Sequence, residues 1–373
     1  MSKGALLSGL FSMVAAYLYL RRRKNLGLRM NLIAAILMDT QELFPEHLPA
    51  DREERFKVVK KFRELWIKLA RDAGKMARTD PVGRVEDFEV PSREAHRTIK
   101  VRLYRPADTP SDKKLPVVLQ SHGGGWVYGN LDVYDRFCRM LSARSGTIVC
   151  AVDYRLAPDH PFPAGLEDCE DVLNWIWSEP SKLVDDFKGD PKSCGLGVAG
   201  DSAGGNICAV LAVYAKNRGI KLDIQALIYP ATAAFCTRFW RQPSYVLPSD
   251  SIVVNAAAPV LTAKGLLNCW ELYLSNPEVE ATNPRASPIL FSVEELRGVA
   301  KAFVTTADAD VLKDEGLEYY KLLKRADVDA TYKNYEDTIH GFASLNVCNH
   351  HERGVWDVAK AIAAAFSERN EKI

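Results

Sequence analysis

From about residue 84 onward the chain alternates short apolar runs with helical patterns, and this alternation limits its fold more than any other feature. Residues 84–90 (RVEDFEV) and 98–105 (TIKVRLYR) alternate polar and apolar side chains, as strands with one wet face do. Continuous apolar runs follow at 116–120 (PVVLQ), 147–152 (TIVCAV), 195–199 (GLGVA), 224–229 (IQALIY) and 302–306 (AFVTT). Runs of this kind fit strands buried on both faces. Helical patterns at 165–177, 203–217 and 313–325 separate them. The order predicts an α/β fold with a mostly parallel central sheet, right-handed crossovers and helices on its flanks.

Two regions depart from this rhythm. Residues 28–80 read as helices, with Leu32, Ile33, Ile36 and Leu37, then Phe56, Val59, Phe62, Trp66 and Leu69 at helical spacing. Residues 235–290 interrupt the strands with helical stretches at Val253–Val260 and Ala263–Leu274, as a lid inserted between two strands would. Its aromatics Phe235, Phe239, Trp240 and Tyr245 suit either lid packing or pocket lining.

The first 25 residues are different again. Residues 4–20 carry no charge and RRRK follows at 21–24. Basic residues after the apolar run reverse the order of a cleaved signal peptide. Two readings stand: a short membrane anchor, or a hydrophobic helix that packs on the lid or touches a bilayer peripherally. A span would keep the arginines and the rest of the chain on the cytoplasmic side.

Three short motifs carry chemistry. The first is Gly200-Asp201-Ser202-Ala203-Gly204, directly after the strand-like GLGVA and opening a helix of small residues. It fits G-x-S-x-G, the nucleophile elbow, in which a serine sits on a turn so sharp that only glycine-sized neighbours fit. The helix N-terminus beneath it favours developing negative charge. The bland alternative is a capped strand-to-helix turn. The second is His122-Gly123-Gly124-Gly125-Trp126, after another strand. Three glycines let the backbone aim its N–H groups at a ligand, as an oxyanion hole requires. A phosphate loop would need a following Lys-Ser/Thr or a further spaced glycine, and neither is there. His122 itself reads as a structural residue holding the loop.

The third motif is His340-Gly341-Phe342, after the strand-like TYKNYE. Of seven histidines, His340 alone both follows Ser202 and lies at a strand-to-loop transition. A carboxylate that orients such an imidazole must lie just past a strand end. With a strand ending near Thr306, Asp308 and Asp310 both qualify. Asp314 and Glu315 fall in the following helix as early-turn charges.

HGGGW, YRLAP (Tyr154–Pro158), FPAGLED (Phe162–Asp168), GDSAGG (Gly200–Gly205), DVLKDEG (Asp310–Gly316) and IHGF (Ile339–Phe342) together resemble the hormone-sensitive-lipase-like esterases. They stand in that family's order and spacing from about residue 84 to the end. The resemblance implies the α/β-hydrolase fold with a helical cap. It makes Asp310 the triad acid beside Ser202 and His340. It makes the N–H groups of Gly124 and Gly125, with Gly123 a further candidate, and of Ala203 the oxyanion donors. Val311, Lys313 and Asp159 depart from the family's usual proline, arginine and glutamate, and none touches the triad. Trp126 and Tyr128 beside the glycine loop, and Asp201 beside the serine, are the candidates for the substrate pocket.

The expected organisation is an apolar N-terminal segment with a basic flank (1–25), N-terminal cap helices (26–83) and an α/β-hydrolase catalytic domain (84–373) with its cap insertion at about 235–290. The expected activity is a serine carboxylesterase acting on small-molecule esters with short to medium acyl chains. An amidase, lactonase or acyltransferase could use the same triad, and a receptor without activity is the remaining class. No metal or cofactor is implied. A net charge of +1 gives no reason to expect a nucleic-acid partner. A surface strand or the last helix (355–366) could support a homodimer. Of eight cysteines without a CxxC pair, most read as free buried thiols of a reducing compartment, so the expected location is the cytoplasm or the cytoplasmic face of a membrane.

Overall fold

The computed structural model describes residues 80–234, 250–344 and 350–370, with positions 54, 57–61, 63, 64 and 67 of an N-terminal helix. Within these residues run eight strands: β1 (Val82–Pro91), β2 (Thr98–Pro106), β3 (Val117–Ser121), β4 (Ile148–Val152), β5 (Leu196–Asp201), β6 (Ile224–Ile228), β7 (Lys301–Ala309) and β8 (Ala330–Ile339). They form one sheet in the order β1-β2-β4-β3-β5-β6-β7-β8. β2 pairs antiparallel with β1 and β4, and every other neighbouring pair is parallel.

The helices that position the site are α1 (Leu131–Ser145), α2 (Ala164–Trp177), α3 (Ala203–Asn217), α4 (Asp250–Val254), α5 (Ala263–Tyr273), α6 (Lys313–Arg325) and α7 (His351–Asn370). The strands bury both faces, which is why their sequences read as unbroken apolar runs. On β3, Val117 and Leu119 face the layer of α2, α3 and α6, while Val118 faces α1 and α7. On β4, Ile148, Cys150 and Val152 take the first side, Val149 and Ala151 the second. The two cores are thus sorted by the period-two geometry of the strand.

Helix α1 has no counterpart in the pattern analysis. Its buried Leu131, Tyr134, Phe137, Cys138 and Leu141 do recur at helical spacing, and the Asn130 side chain caps it by accepting from the Val133 N–H. Charged residues between them (Asp132, Asp135, Arg136, Arg139) dilute the signal.

The insertion between β6 and β7 contributes α4 and α5. It is tied to the loop after β7: Ser251 Oγ donates to Val311 O, and Asn255 Nδ2 donates to Asp310 O at 2.9 Å. Arg63, from the N-terminal helix, donates to Val127 O, Ala157 O and Asp159 Oδ2. Among the described residues no helix is long and apolar enough to cross a membrane. The apolar stretch 4–20 and the aromatics Phe235, Phe239, Trp240 and Tyr245 lie outside the described residues.

A buried charge network fastens the antiparallel edge of the sheet to α2. Asp168 is 0% exposed and accepts from the backbone N–H and guanidinium of Arg155 and from Arg97. Glu170 beside it bonds Arg93 and Arg285, the latter at the end of the insertion. Removing one partner of such a network leaves the others desolvated and unpaired. Asp168→Ala is therefore expected to lower unfolding free energy by about 3–5 kcal/mol, read from the midpoint of urea unfolding.

Glu315 is a second buried carboxyl, and it holds the loop after β6. Its Oε1 accepts from Thr232 N at 2.6 Å and Ala233 N at 3.3 Å. Burial pushes this carboxyl up to about 8. A raised folded-state value means the folded chain holds the proton more tightly than the unfolded one. Stability from this group is then fully present below the ordinary glutamate range and is lost as pH rises towards 8. Glu315→Gln keeps the acceptor and removes the titration. The melting temperature of the wild type is expected to fall relative to Glu315→Gln between pH 5 and pH 8, and the gap to stay constant above that.

Candidate active site

β5 ends at Asp201 and α3 begins at Ala203, so the whole change of direction falls on Ser202, with φ 54° and ψ −119°. A non-glycine residue takes that backbone only when its surroundings force it. Ser202 N donates to Ile228 O at 2.9 Å, and Ser202 O accepts from Asn206 N and Ala231 N. The glycines answer a packing need. A Cβ on Gly200 would stand 2.3 Å from Gly204 O, and one on Gly204 would stand 2.0 Å from Ser121 O.

Three other strand ends bring their loops to the same place. β3 pairs with β5, with Ser121 opposite Gly200, so the glycine loop leaves the sheet beside the serine. β7 leads into Asp310 and β8 into His340. His340 Nε2 lies 3.0 Å from Ser202 Oγ, and His340 Nδ1 lies 2.7 Å from Asp310 Oδ2. The Asp310 carboxylate is 0% exposed, and its Oδ1 accepts from Leu312 N at 2.9 Å. Of the two aspartates left open by spacing, Asp308 turns elsewhere and pairs with Lys313 Nζ at 2.7 Å. Asp314 accepts from Ser251 N and Glu315 from the 232–233 loop, so neither serves only as an early-turn charge.

The glycine loop requires one correction. Gly123, expected among the oxyanion donors, has its N–H engaged by Asp201 Oδ1 at 2.9 Å. Among the described residues no group accepts from the N–H of Gly124, Gly125 or Ala203. Gly124 (φ 110°) and Gly125 (φ 62°) both lie in the region open to glycine. His122 is buried, with Nδ1 2.8 Å from Gly123 O, and Tyr154 stacks on its ring and donates to its carbonyl. Burial pushes the His122 imidazole down to about 4, so it is neutral at ordinary pH and holds the loop.

The pocket candidates also sit differently from expectation. Asp201 turns its carboxylate into the protein, towards Gly123 N and the Tyr134 hydroxyl, because an isolated carboxylate cannot stay buried without donors. Trp126 is buried in an aromatic layer, stacked on Tyr273 at 4.3 Å with Trp270 at 4.2 Å. Its ring fastens α5 of the insertion to the glycine loop. Tyr128 is buried too, and its N–H closes the loop's turn on Gly124 O. Pattern reading missed Tyr273, Trp270 and Cys269. Cys269 Sγ stands 2.4 Å from where a Gly125 Cβ would be. Their helical spacing was visible in the sequence, but nothing there reveals which helix roofs the loop.

The comparisons with known proteins agree with this geometry. The alpha/beta hydrolase fold family matches residues 118–344. Esterase LipI of Mycobacterium tuberculosis is 37% identical over 245 residues, which is 65% of this chain and 71% of that protein. Carboxylesterase NlhH of the same organism is 36% identical over 248 residues, 66% of this chain and 72% of that protein. Among solved structures, a hyperthermophilic esterase from the archaeon Pyrobaculum calidifontis superposes with a TM-score of 0.72 at 37% identity, covering 82% of this chain and 93% of that one. Eight strands in this order, flanking helices and these relatives place the chain among the hormone-sensitive-lipase-like esterases, the carboxylic ester hydrolases of the α/β-hydrolase fold.

Proposed function

We propose that the protein hydrolyses carboxylic esters with short to medium acyl chains through an acyl-enzyme on Ser202, with His340 as base and Asp310 as its orienting acid. The observation that carries this is the unbroken hydrogen-bonded line from Asp310 Oδ2 through the imidazole to Ser202 Oγ, at 2.7 and 3.0 Å.

In this mechanism Ser202 Oγ attacks the ester carbonyl carbon and His340 Nε2 takes its proton. The carbonyl oxygen becomes an oxyanion facing the N–H groups of Gly124, Gly125 and Ala203, which have no other acceptor among the described residues. Asp310 stays ionised and stabilises the imidazolium through Nδ1–H. Collapse of the intermediate breaks the ester C–O bond, and His340 returns the proton to the departing alcohol. Water then attacks the acyl-enzyme by the same route, releasing the acid and restoring Ser202.

The acyl range rests on the roof. Trp126, Trp270 and Tyr273 close against one another above the glycine loop, which favours a confined pocket over an open groove for long chains. The relatives named esterase and carboxylesterase support ester hydrolysis itself.

Hydrolysis of p-nitrophenyl esters from acetate to palmitate tests the proposal. The rate is expected to peak between acetate and octanoate and to fall at palmitate. Ser202→Ala is expected to reduce kcat by about three orders of magnitude or more. Activity retained in that variant would sink the mechanism, and a maximum at palmitate would sink the acyl range.

A further inference from the structure

Asp201 precedes the serine, yet its carboxylate points away from it. It is 2% exposed, and among the described residues its partners are hydroxyls and a backbone N–H rather than a lysine or arginine. A buried carboxylate without a cation is costly unless donors surround it. Here the donors come from separate loops. Gly123 N donates to Oδ1 at 2.9 Å, the Tyr134 hydroxyl to Oδ2 at 3.0 Å, and the Tyr229 hydroxyl approaches Oδ2 at 3.5 Å. The Tyr229 hydroxyl also lies 2.9 Å from Ser344 Oγ and accepts from Ser344 N at 3.1 Å.

Each partner belongs to a different part of the reaction site. Gly123 begins the glycine loop, and Ser344 lies four residues after His340. Tyr229 follows β6, with φ 35°, and its ring lies 4.8 Å from the His340 ring. Between β3, β5 and β6 the sheet ladder ends at Ser121 with Gly200 and Asp201 with Ile228, while β7 and β8 stay paired up to Ala309 with Ile339, directly before His340. Across β5 and β6, from the glycine loop to Ser344, the side-chain network around Asp201 adds a tie that the ladder does not supply. Space is tight as well, since a Cβ on Gly123 would stand 2.7 Å from Asp201 Oδ2 and 2.8 Å from the Tyr134 hydroxyl.

We infer that Asp201 and Tyr229 are positioning residues, a buried brace that fixes the oxyanion loop and the histidine loop at one separation across Ser202. Neither touches the ester. They act through Gly123, which aims the next two N–H groups, and through Ser344 and the His340 ring. The inference rests on the triad reading above. Its consequence is that disturbing the far end of the brace at Tyr229 slows the same step as disturbing Asp201, because one network carries both.

The test is a double-mutant cycle on p-nitrophenyl butyrate with Asp201→Asn, Tyr229→Phe and the pair, with Ser202→Ala alongside. Each single substitution is expected to lower kcat by about tenfold or more, as a small misplacement of reacting groups does, with KM changed less than threefold. The pair is expected to be no slower than the worse single variant by more than about threefold, since one coupled network is broken once. Losses that multiply, losses confined to KM, or unchanged kcat in folded variants would each overturn the brace. Tyr229→Phe removes one oxygen from a retained ring, so it decides the question even where Asp201→Asn does not fold. Activity kept by Ser202→Ala would overturn the triad reading and the brace with it. Activity lost there but intact in the other variants overturns the brace alone.

Discussion

A serine with φ 54° and ψ −119°, wedged between a buried strand and a buried helix, is the constraint from which the rest of the site follows. Such a backbone costs on the order of 1–3 kcal/mol and persists only where the surroundings over-determine it. Here β5 lies between β3 and β6 in the sheet, and α3 is buried along nearly its whole length. Gly200 and Gly204 let strand and helix approach within distances that no side chain tolerates. The turn therefore cannot relax, and Ser202 Oγ is held at the carboxyl end of the sheet, where the loops after β3, β7 and β8 converge.

The same end of the sheet gathers polar groups that would be expensive if unpaired. Asp310, Glu315, Asp201 and Asp168 are all buried, and each is satisfied in its own way. Asp310 faces the imidazole, Glu315 takes backbone N–H groups, Asp201 takes hydroxyls and an amide, and Asp168 takes two arginines. Only the last of these is an ion-pair network in the ordinary sense, and it lies away from Ser202, fastening α2 to the edge of the sheet. Around the serine itself the partners are neutral donors and one histidine. In the proposed mechanism, few charges would therefore compete with an oxyanion for the N–H groups of Gly124, Gly125 and Ala203.

The architecture was legible because strands buried on both faces leave unbroken apolar runs, and because Gly-x-Ser-x-Gly and the triple glycine each sit at a strand end. Which aspartate faces His340 was not legible from spacing. Asp308 lies within the last residues of β7 and Asp310 just past its end, so the strand's end at Ala309 decides that Asp310 faces His340 while Asp308 meets Lys313. Gly123, only a further candidate donor beside Gly124 and Gly125, gives its N–H to Asp201, a partner that the local sequence does not reveal. Asp201 is adjacent to the serine in sequence, yet its carboxylate turns into the protein, and Trp126 packs against Tyr273 and Trp270. Side-chain direction at a sharp turn depends on partners more than 60 residues away, such as Tyr134 for Asp201 and Tyr273 for Trp126. Those pairings are set by the fold rather than by local pattern.

The most direct measurement is the rate at which a fluorophosphonate labels Ser202, located by peptide mass spectrometry, in Asp310→Asn beside Asp308→Asn. The hydrogen-bonded line through His340 predicts labelling slowed by about a thousandfold or more in Asp310→Asn and close to wild type in Asp308→Asn. Equal rates in the two variants, or the larger loss at Asp308, would contradict it.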